Sequence, residues 1–145
     1  MKKVIFALIA CAFVSPLSHA QTAVAAEKKE TELETAMDKM SGAFKKLRRQ
    51  VKEPANNASS IALLADLRAG AKESIKLVPA LAADQPADKR VAFIEGYKKK
   101  INELIAQMEP LEVALKANKN EEAAAIVAKL GSLQKEGHKE YKKPE

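Results

Sequence analysis

Apolar residues recur along most of the chain at alternating steps of three and four. Between Glu30 and Val51 they fall at Leu33, Met37, Met40, Phe44, Leu47 and Val51, and Pro54 with Asn56 and Asn57 closes the run. That spacing traces one face of a 3.6-residue helix and fits no strand. A second stripe runs through Ile61, Leu64, Leu67 or Arg68, Ala71, Ile75 and Val78, with Ser59 or Ser60 as its cap and Pro79 as its stop. After the linker 80–85, Asp84 and Pro86 predict a cap and first-turn proline for a third helix. Its stripe is Val91, Ile94, Tyr97, Ile101, Leu104 or Ile105, and Met108. It resumes at Leu111 and Leu115 beyond Pro110, so the proline predicts a kink within the helix rather than its end. Asn118 and Asn120 mark a turn. A fourth stripe follows through Ile126 or Val127, Leu130, Leu133 or Gln134, Gly137 or His138, and Tyr141. Glu121 and Glu122 in its first turn and Lys139, Lys142 and Lys143 in its last match the helix dipole. Four helices of about 20 residues with short loops predict an all-α, up-down-up-down antiparallel four-helix bundle.

The first twenty residues read differently. Lys2 and Lys3, the apolar run Val4–Val14 and the small-residue site Ser18-His19-Ala20 form a secretory signal, cleaved after Ala20 and directing the chain to the periplasm. The run is too short for a stable membrane anchor, which needs about 20 apolar residues. Leu8-Ile9-Ala10-Cys11 offers a rival lipoprotein box with Cys11 as the lipidated residue, but the apolar run continues past it. Residues 21–29 form a flexible leader and 30–145 the bundle.

Composition matters mainly after this subtraction. The full chain has 145 residues, one Cys, two His and a formal charge of +6. Removing residues 1–20 leaves 125 residues, no Cys, His138 as the single His, and a charge of +4. Cysteine-based zinc sites and carboxylate-bridged di-iron sites with paired Glu-x-x-His motifs are excluded. No Ser-His-Asp constellation or glycine-rich phosphate loop is readable, so the chain is expected not to be an enzyme. An exported chain with few aromatics is not expected to bind nucleic acid, despite its basic charge.

The predicted topology brings the start of helix 1, the end of helix 2, the start of helix 3 and the end of helix 4 to one end of the bundle. Met37 and His138 each lie on the order of 10 Å from that end, on or beside inward stripes. Phe93 and Tyr97 share it. A thioether facing an imidazole is a ligand pair for haem iron, and the small residues Ala36 and Gly137 leave room for a flat macrocycle. The competing readings are a core methionine and a surface histidine at a helix C-terminus.

Several motifs carry a family resemblance. Leu33-Glu34-Thr35-Ala36-Met37 resembles the Leu-Glu-x-x-Met motif of helix 1 in the cytochrome b562 family. Gly137-His138-Lys139-Glu140-Tyr141-Lys142 resembles its fourth-helix ending. Phe93-x-x-Gly96-Tyr97 is similar to its Phe-x-x-Gly-Phe in helix 3, and Ala114–Asn118 with Glu122-Ala123 to its third loop. The likeness spans the mature chain. It implies a periplasmic one-electron carrier holding one haem b per chain, with Met37 and His138 as axial ligands, Met40 as pocket wall, and Phe93 and Tyr97 flanking the porphyrin. Relatives with covalent haem carry Cys-x-x-Cys-His where this chain has Gln134-Lys135-Glu136-Gly137-His138, so the haem would be non-covalent. The chain is expected to act as a monomer. Lys135, Lys139, Lys142 and Lys143, with Lys28 and Lys29 adjacent, would attract an acidic redox protein. The alternative is a haem-free periplasmic bundle acting as an adaptor or stress-response binding protein.

Overall fold

The computed structural model describes residues 31–144, so the signal, its cleavage site, Cys11 and the leader lie outside the described residues. Four α-helices follow in order: α1 Glu32–Gln50, α2 Asn57–Ser74, α3 Arg90–Lys116 and α4 Asn120–Tyr141. No strand occurs among the described residues. Each helix packs against its neighbour in sequence, α1 on α2, α2 on α3 and α3 on α4. This is the expected four-helix bundle.

The inward stripes close around one core. Leu47, Leu64, Met108, Leu111, Leu115 and Leu130 are fully buried at its centre, with Met40, Phe44, Val51, Leu67, Tyr97 and Val127 around them. Leu67 takes the inward position. Arg68 beside it stays half-exposed and reaches α3, where its guanidinium donates to the Met108 carbonyl at 3.3 Å and to Glu112 Oε2 at 2.8 Å. Two glycines let helices interlock. A Cβ on Gly70 would come within 2.6 Å of Met40 Cγ, so α1 inserts Met40 into a notch on α2. Gly96 provides the same notch on α3 for Tyr141 of α4.

Element boundaries depart from expectation in three places. Helix α2 starts at Asn57, ahead of Ser59 and Ser60, because a 3-10 turn Pro54–Asn56 feeds directly into it. Ser59 and Ser60 instead accept from Gln50 Nε2 at 2.8 and 3.0 Å, joining α2 to the end of α1. At its other end α2 stops at Ser74, and Val78 is 58% exposed. The residue before a proline is disfavoured in a helix, and Pro79 follows at once. Helix α3 begins at Arg90 rather than near Pro86, after a second 3-10 turn Ala80–Asp84. Asp84 caps nothing. Its carboxylate pairs with Lys143 at 2.8 Å. Arg90 satisfies the loop instead, donating to the carbonyls of Ala82, Ala83 and Gln85. Val91, expected on the inward stripe, is 71% exposed because the helix enters the bundle only a turn later. Pro110 sits inside α3, which continues through it to Lys116.

The end of the bundle formed by residues 51–57 and 115–120 is clasped by asparagines. Asn57 Nδ2 donates to the Leu115 carbonyl at 3.0 Å and to Asn118 Oδ1 at 2.9 Å. Asn120 Nδ2 donates to the Val51 carbonyl at 2.7 Å and to Asn57 Oδ1 at 2.8 Å. The bond from Asn120 satisfies the Val51 carbonyl just past the C-terminus of α1, and the bond from Asn57 adds a side-chain donor to the Leu115 carbonyl at the end of α3. Asn118 has a φ of 56°, a left-handed conformation that asparagine tolerates better than most residues.

Candidate functional site

The opposite end of the bundle is open. Helices α1 and α4 separate there, and a cleft of about 620 Å³ runs between them down to α3. A capping box sets the N-terminus of α1: Glu34 N–H donates to Thr31 Oγ1 at 3.1 Å, and Thr31 N–H donates to Glu34 Oε2 at 2.8 Å. Met37 follows one turn later, half-buried on the cleft wall. The floor is apolar, built from Leu33, Met40, Phe44, Leu67, Ile101, Leu104, Met108, Leu130 and Leu133. Pro79 and Ala80 of the α2–α3 loop close one edge. Lys45, Lys100, Lys142 and Lys143 stand at the margins.

Helix α4 contributes Gln134, Gly137 and His138. His138 is exposed as a residue, yet the protein around it is dense enough for burial to push its pKa below the usual histidine value, with the Lys142 charge adding to the effect. Both effects favour the neutral imidazole, the form whose ring nitrogen offers a lone pair to a metal. Gly137 leaves open space, since no atom lies within 4 Å of a Cβ placed there. Ala36 does not serve the cleft. It faces α2, where its carbonyl approaches the notch at Gly70.

Tyr97 also lines the cleft, and it is anchored from behind: its hydroxyl donates to the Ser74 carbonyl at 2.8 Å, at the end of α2. Burial pushes the Tyr97 phenol pKa up. Phe93 does not reach the lining. Its ring packs on Tyr141 with centroids 4.9 Å apart, and Tyr141 meets Tyr97 edge-on at 5.7 Å. Tyr141 is a site-building residue that its place on the fourth stripe did not mark as special. It seats the last turn of α4 on Gly96, three residues from His138, and its signals were its place in the fourth-helix motif and the Gly96-Tyr97 pair of the third-helix motif. Met40 is both pocket wall and core, buried between the cleft and Gly70. Met37 and His138 thus line one cleft from the first and last helices. Leu104, Met108 and Lys100 also border it, and periodicity alone did not separate them from ordinary stripe and surface residues.

Among the described residues no group of three or more His, Cys, Asp or Glu is placed to hold a metal ion. Met37 and His138 bring a thioether sulfur and an imidazole to the same cleft. Residues 32–142 match the sequence profile of the cytochrome b562 family, which covers all four helices. The chain belongs to the cytochrome b562 family. Comparison with curated proteins returns no significant match. Membership accounts for the bundle and its four-helix order. Among the described residues of this family member, no helix is long and apolar enough to cross a membrane.

Proposed function

We propose that this cytochrome b562-family protein is a periplasmic one-electron carrier that binds one non-covalent b-type haem in the α1–α4 cleft, with the Met37 sulfur and a His138 imidazole nitrogen as axial ligands. The observation that carries the reading is that the single histidine of residues 21–145 and a half-buried methionine line the same apolar cleft from helices at opposite ends of the chain. The cleft's volume lies within the usual range for cofactor sites. Its chemistry suits the group: an apolar floor for a flat macrocycle, a soft sulfur and a neutral imidazole for iron, and lysines at the margin for the propionate carboxylates.

Each residue has a defined task. The Thr31–Glu34 capping box holds the first turn of α1 and so the register of Met37. Tyr141 holds the last turn of α4 on Gly96 and so the orientation of His138. Leu104, Met108 and Leu130 exclude water from the buried side. A haem supplies reversible one-electron oxidation at its iron, and Met/His ligation raises its reduction potential. With Met37 and His138 both holding the iron, the group would supply electron transfer rather than ligand activation. The residues matching the covalent attachment motif, Gln134 and Gly137, have no thiol, so retention depends on the cleft alone.

The test is a titration of the mature protein, residues 21–145, with haemin, followed by visible spectra in both oxidation states. Sharp low-spin bands at a one-to-one ratio, lost in His138→Ala and altered in Met37→Ala, support the carrier. A featureless spectrum with no haem retained overturns it and leaves a cofactor-free bundle that works by protein binding.

A further inference from the structure

The second half of α1 and the turn after it carry a charge imbalance that the haem reading uses only at Lys45. Between Asp38 and Glu53 there is no carboxylate, but there are six cations: Lys39, Lys45, Lys46, Arg48, Arg49 and Lys52. All six are exposed, and none forms an ion pair among the described residues. Elsewhere Lys76, Lys98, Lys100, Lys116, Lys119 and Lys143 each face a carboxylate within 4 Å, and the lysines without an ion pair among the described residues, Lys72, Lys89, Lys99, Lys129, Lys135 and Lys139, are spread over three helices and the N-cap of α3 with carboxylates interspersed.

Two of the six lie on the side of α1 that leads away from the cleft margin, and a third follows just past the helix end. Lys45 lines the cleft itself. Arg48 follows three residues later on the same helix face, and Lys52 lies two residues past Gln50, towards the clasped end of the bundle. The Arg48 guanidinium stands 5.8 Å from the centroid of Phe44, a cleft residue, which fixes its direction. The end of α4, where lysines also cluster, is a weaker patch. Lys143 is paired with Asp84, and Glu136 and Glu140 alternate with Lys135 and Lys139.

We infer that the row of Lys45, Arg48 and Lys52, which starts at the cleft margin on α1 and ends just past that helix, is the docking surface for an acidic electron-transfer protein. The inference rests on the haem reading above. Electron transfer favours a small, transient interface close to the cofactor, held by long-range charge rather than by a large apolar area. This row has that character. It starts at the cleft margin, and none of the exposed large apolar side chains, Val78, Val91 and Val113, belongs to α1. The same lack of apolar anchors disfavours a membrane surface, and the lack of exposed aromatics on α1 disfavours single-stranded nucleic acid.

Two measurements test it. In the first, the haem-loaded, reduced protein is mixed with ferricyanide in stopped flow. Each reduced haem gives up one electron and each ferricyanide takes one up, becoming ferrocyanide. The second-order rate constant of the parent protein should fall by about 10-fold or more as salt rises from about 10 to about 500 mM. The triple variant Lys45→Glu, Arg48→Glu, Lys52→Glu should slow the low-salt reaction by about 10-fold and reverse the salt trend. A control with the same change in net charge, Lys72→Glu, Lys99→Glu, Lys129→Glu on α2, α3 and α4, should keep the parent's trend. In the second, poly-L-glutamate is titrated into the haem-free protein and followed by amide NMR. Shifts should concentrate on residues 39–52. Equal rate losses in the two triple variants, NMR shifts centred on the end of α4, or binding to phosphatidylglycerol vesicles stronger than to poly-L-glutamate would each overturn the inference. Failure to take up haemin overturns both readings. Normal uptake with a salt-independent rate overturns this one alone.

Discussion

The hydroxyl of Tyr141 sits over Gly96, so close that a Cβ on that glycine would lie 2.7 Å from the phenol oxygen. The Tyr141 ring packs against Phe93 and Tyr97, and Tyr97 is tied to the end of α2 through the Ser74 carbonyl. The last turn of α4, and His138 with it, is therefore registered against α3 by one aromatic side chain in one glycine notch.

This contact makes Gly96 sensitive to a single methyl group. Gly96→Ala gains about 1 kcal/mol of helix propensity but forces a crowded ring to move, which costs about 1–3 kcal/mol, for a net loss of about 1 kcal/mol. Removing the hydroxyl relieves the clash, because the next Tyr141 atom, Cζ, lies at an ordinary 3.7 Å. Gly96→Ala in a Tyr141→Phe background should then be neutral or stabilising. Urea unfolding of the parent, both single variants and the double variant measures the coupling. Equal costs of Gly96→Ala in both backgrounds would show that the hydroxyl is not the obstacle.

At the far end, Asn120→Ala should destabilise the protein by about 2–3 kcal/mol, since it strands the buried Val51 carbonyl and the Asn57 Oδ1 that Asn120 now satisfies. Thermal or chemical unfolding reads this directly. Haem uptake should change little, because the cleft opens at the other end of the bundle. A variant as stable as the parent would mean that water takes over those bonds.

The haem-free protein should show His138 titrating below the ordinary 6.5, because burial first and the Lys142 charge second disfavour the imidazolium. A folded-state pKa below the unfolded one means that the unfolded chain takes up the proton first. The associated stability is present above 6.5 and declines as pH falls through the folded pKa. NMR of the imidazole C–H protons follows the group itself, and Lys142→Gln should move the midpoint part of the way back. A midpoint at or above 6.5 would contradict the desolvated placement.

Both tyrosines have pKa values raised above 10.0, Tyr97 by burial and Tyr141 by burial and the nearby Glu140. Protons are held more tightly in the folded state, so this contribution is intact below pH 10 and is lost as pH rises through the folded values. Tyrosinate absorbance of the folded protein should lag behind that of the urea-unfolded chain, and Tyr97→Phe should remove part of that lag. Coincident titration curves would rule out the buried phenol.

The four helices were legible because their evidence is local. The stripe Leu33–Val51 at three- and four-residue steps states which face of α1 turns inward without reference to any other helix, and Met40, Phe44, Leu47 and Val51 are buried as that pattern requires. The boundaries were less legible. Ser59 and Ser60 look like caps, yet they bond Gln50, and Asp84 looks like a cap, yet it pairs with Lys143. Short polar side chains serve either role, and the choice depends on which partner the fold delivers.

The candidate site divides in the same way. Residue type and chain position singled out Met37, His138 and Tyr97, and these line one cleft. Phe93, equally close to Tyr97 in sequence, turns to Tyr141 instead, and the buried amide pair of Asn57 and Asn120 carries no apolar signature by which to find it.

Helix number, order and facing are thus properties of the sequence by itself, since a 3.6-residue period needs only one segment to be read. Which seam opens is a property of the tertiary structure. Met40 sinks into the Gly70 notch and Tyr141 into the Gly96 notch, drawing α1 to α2 and α4 to α3. No comparable notch draws α1 to α4 beside Met37 and His138 among the described residues, and there the bundle parts. That outcome rests on how side-chain volumes from different helices meet, which no single helix encodes.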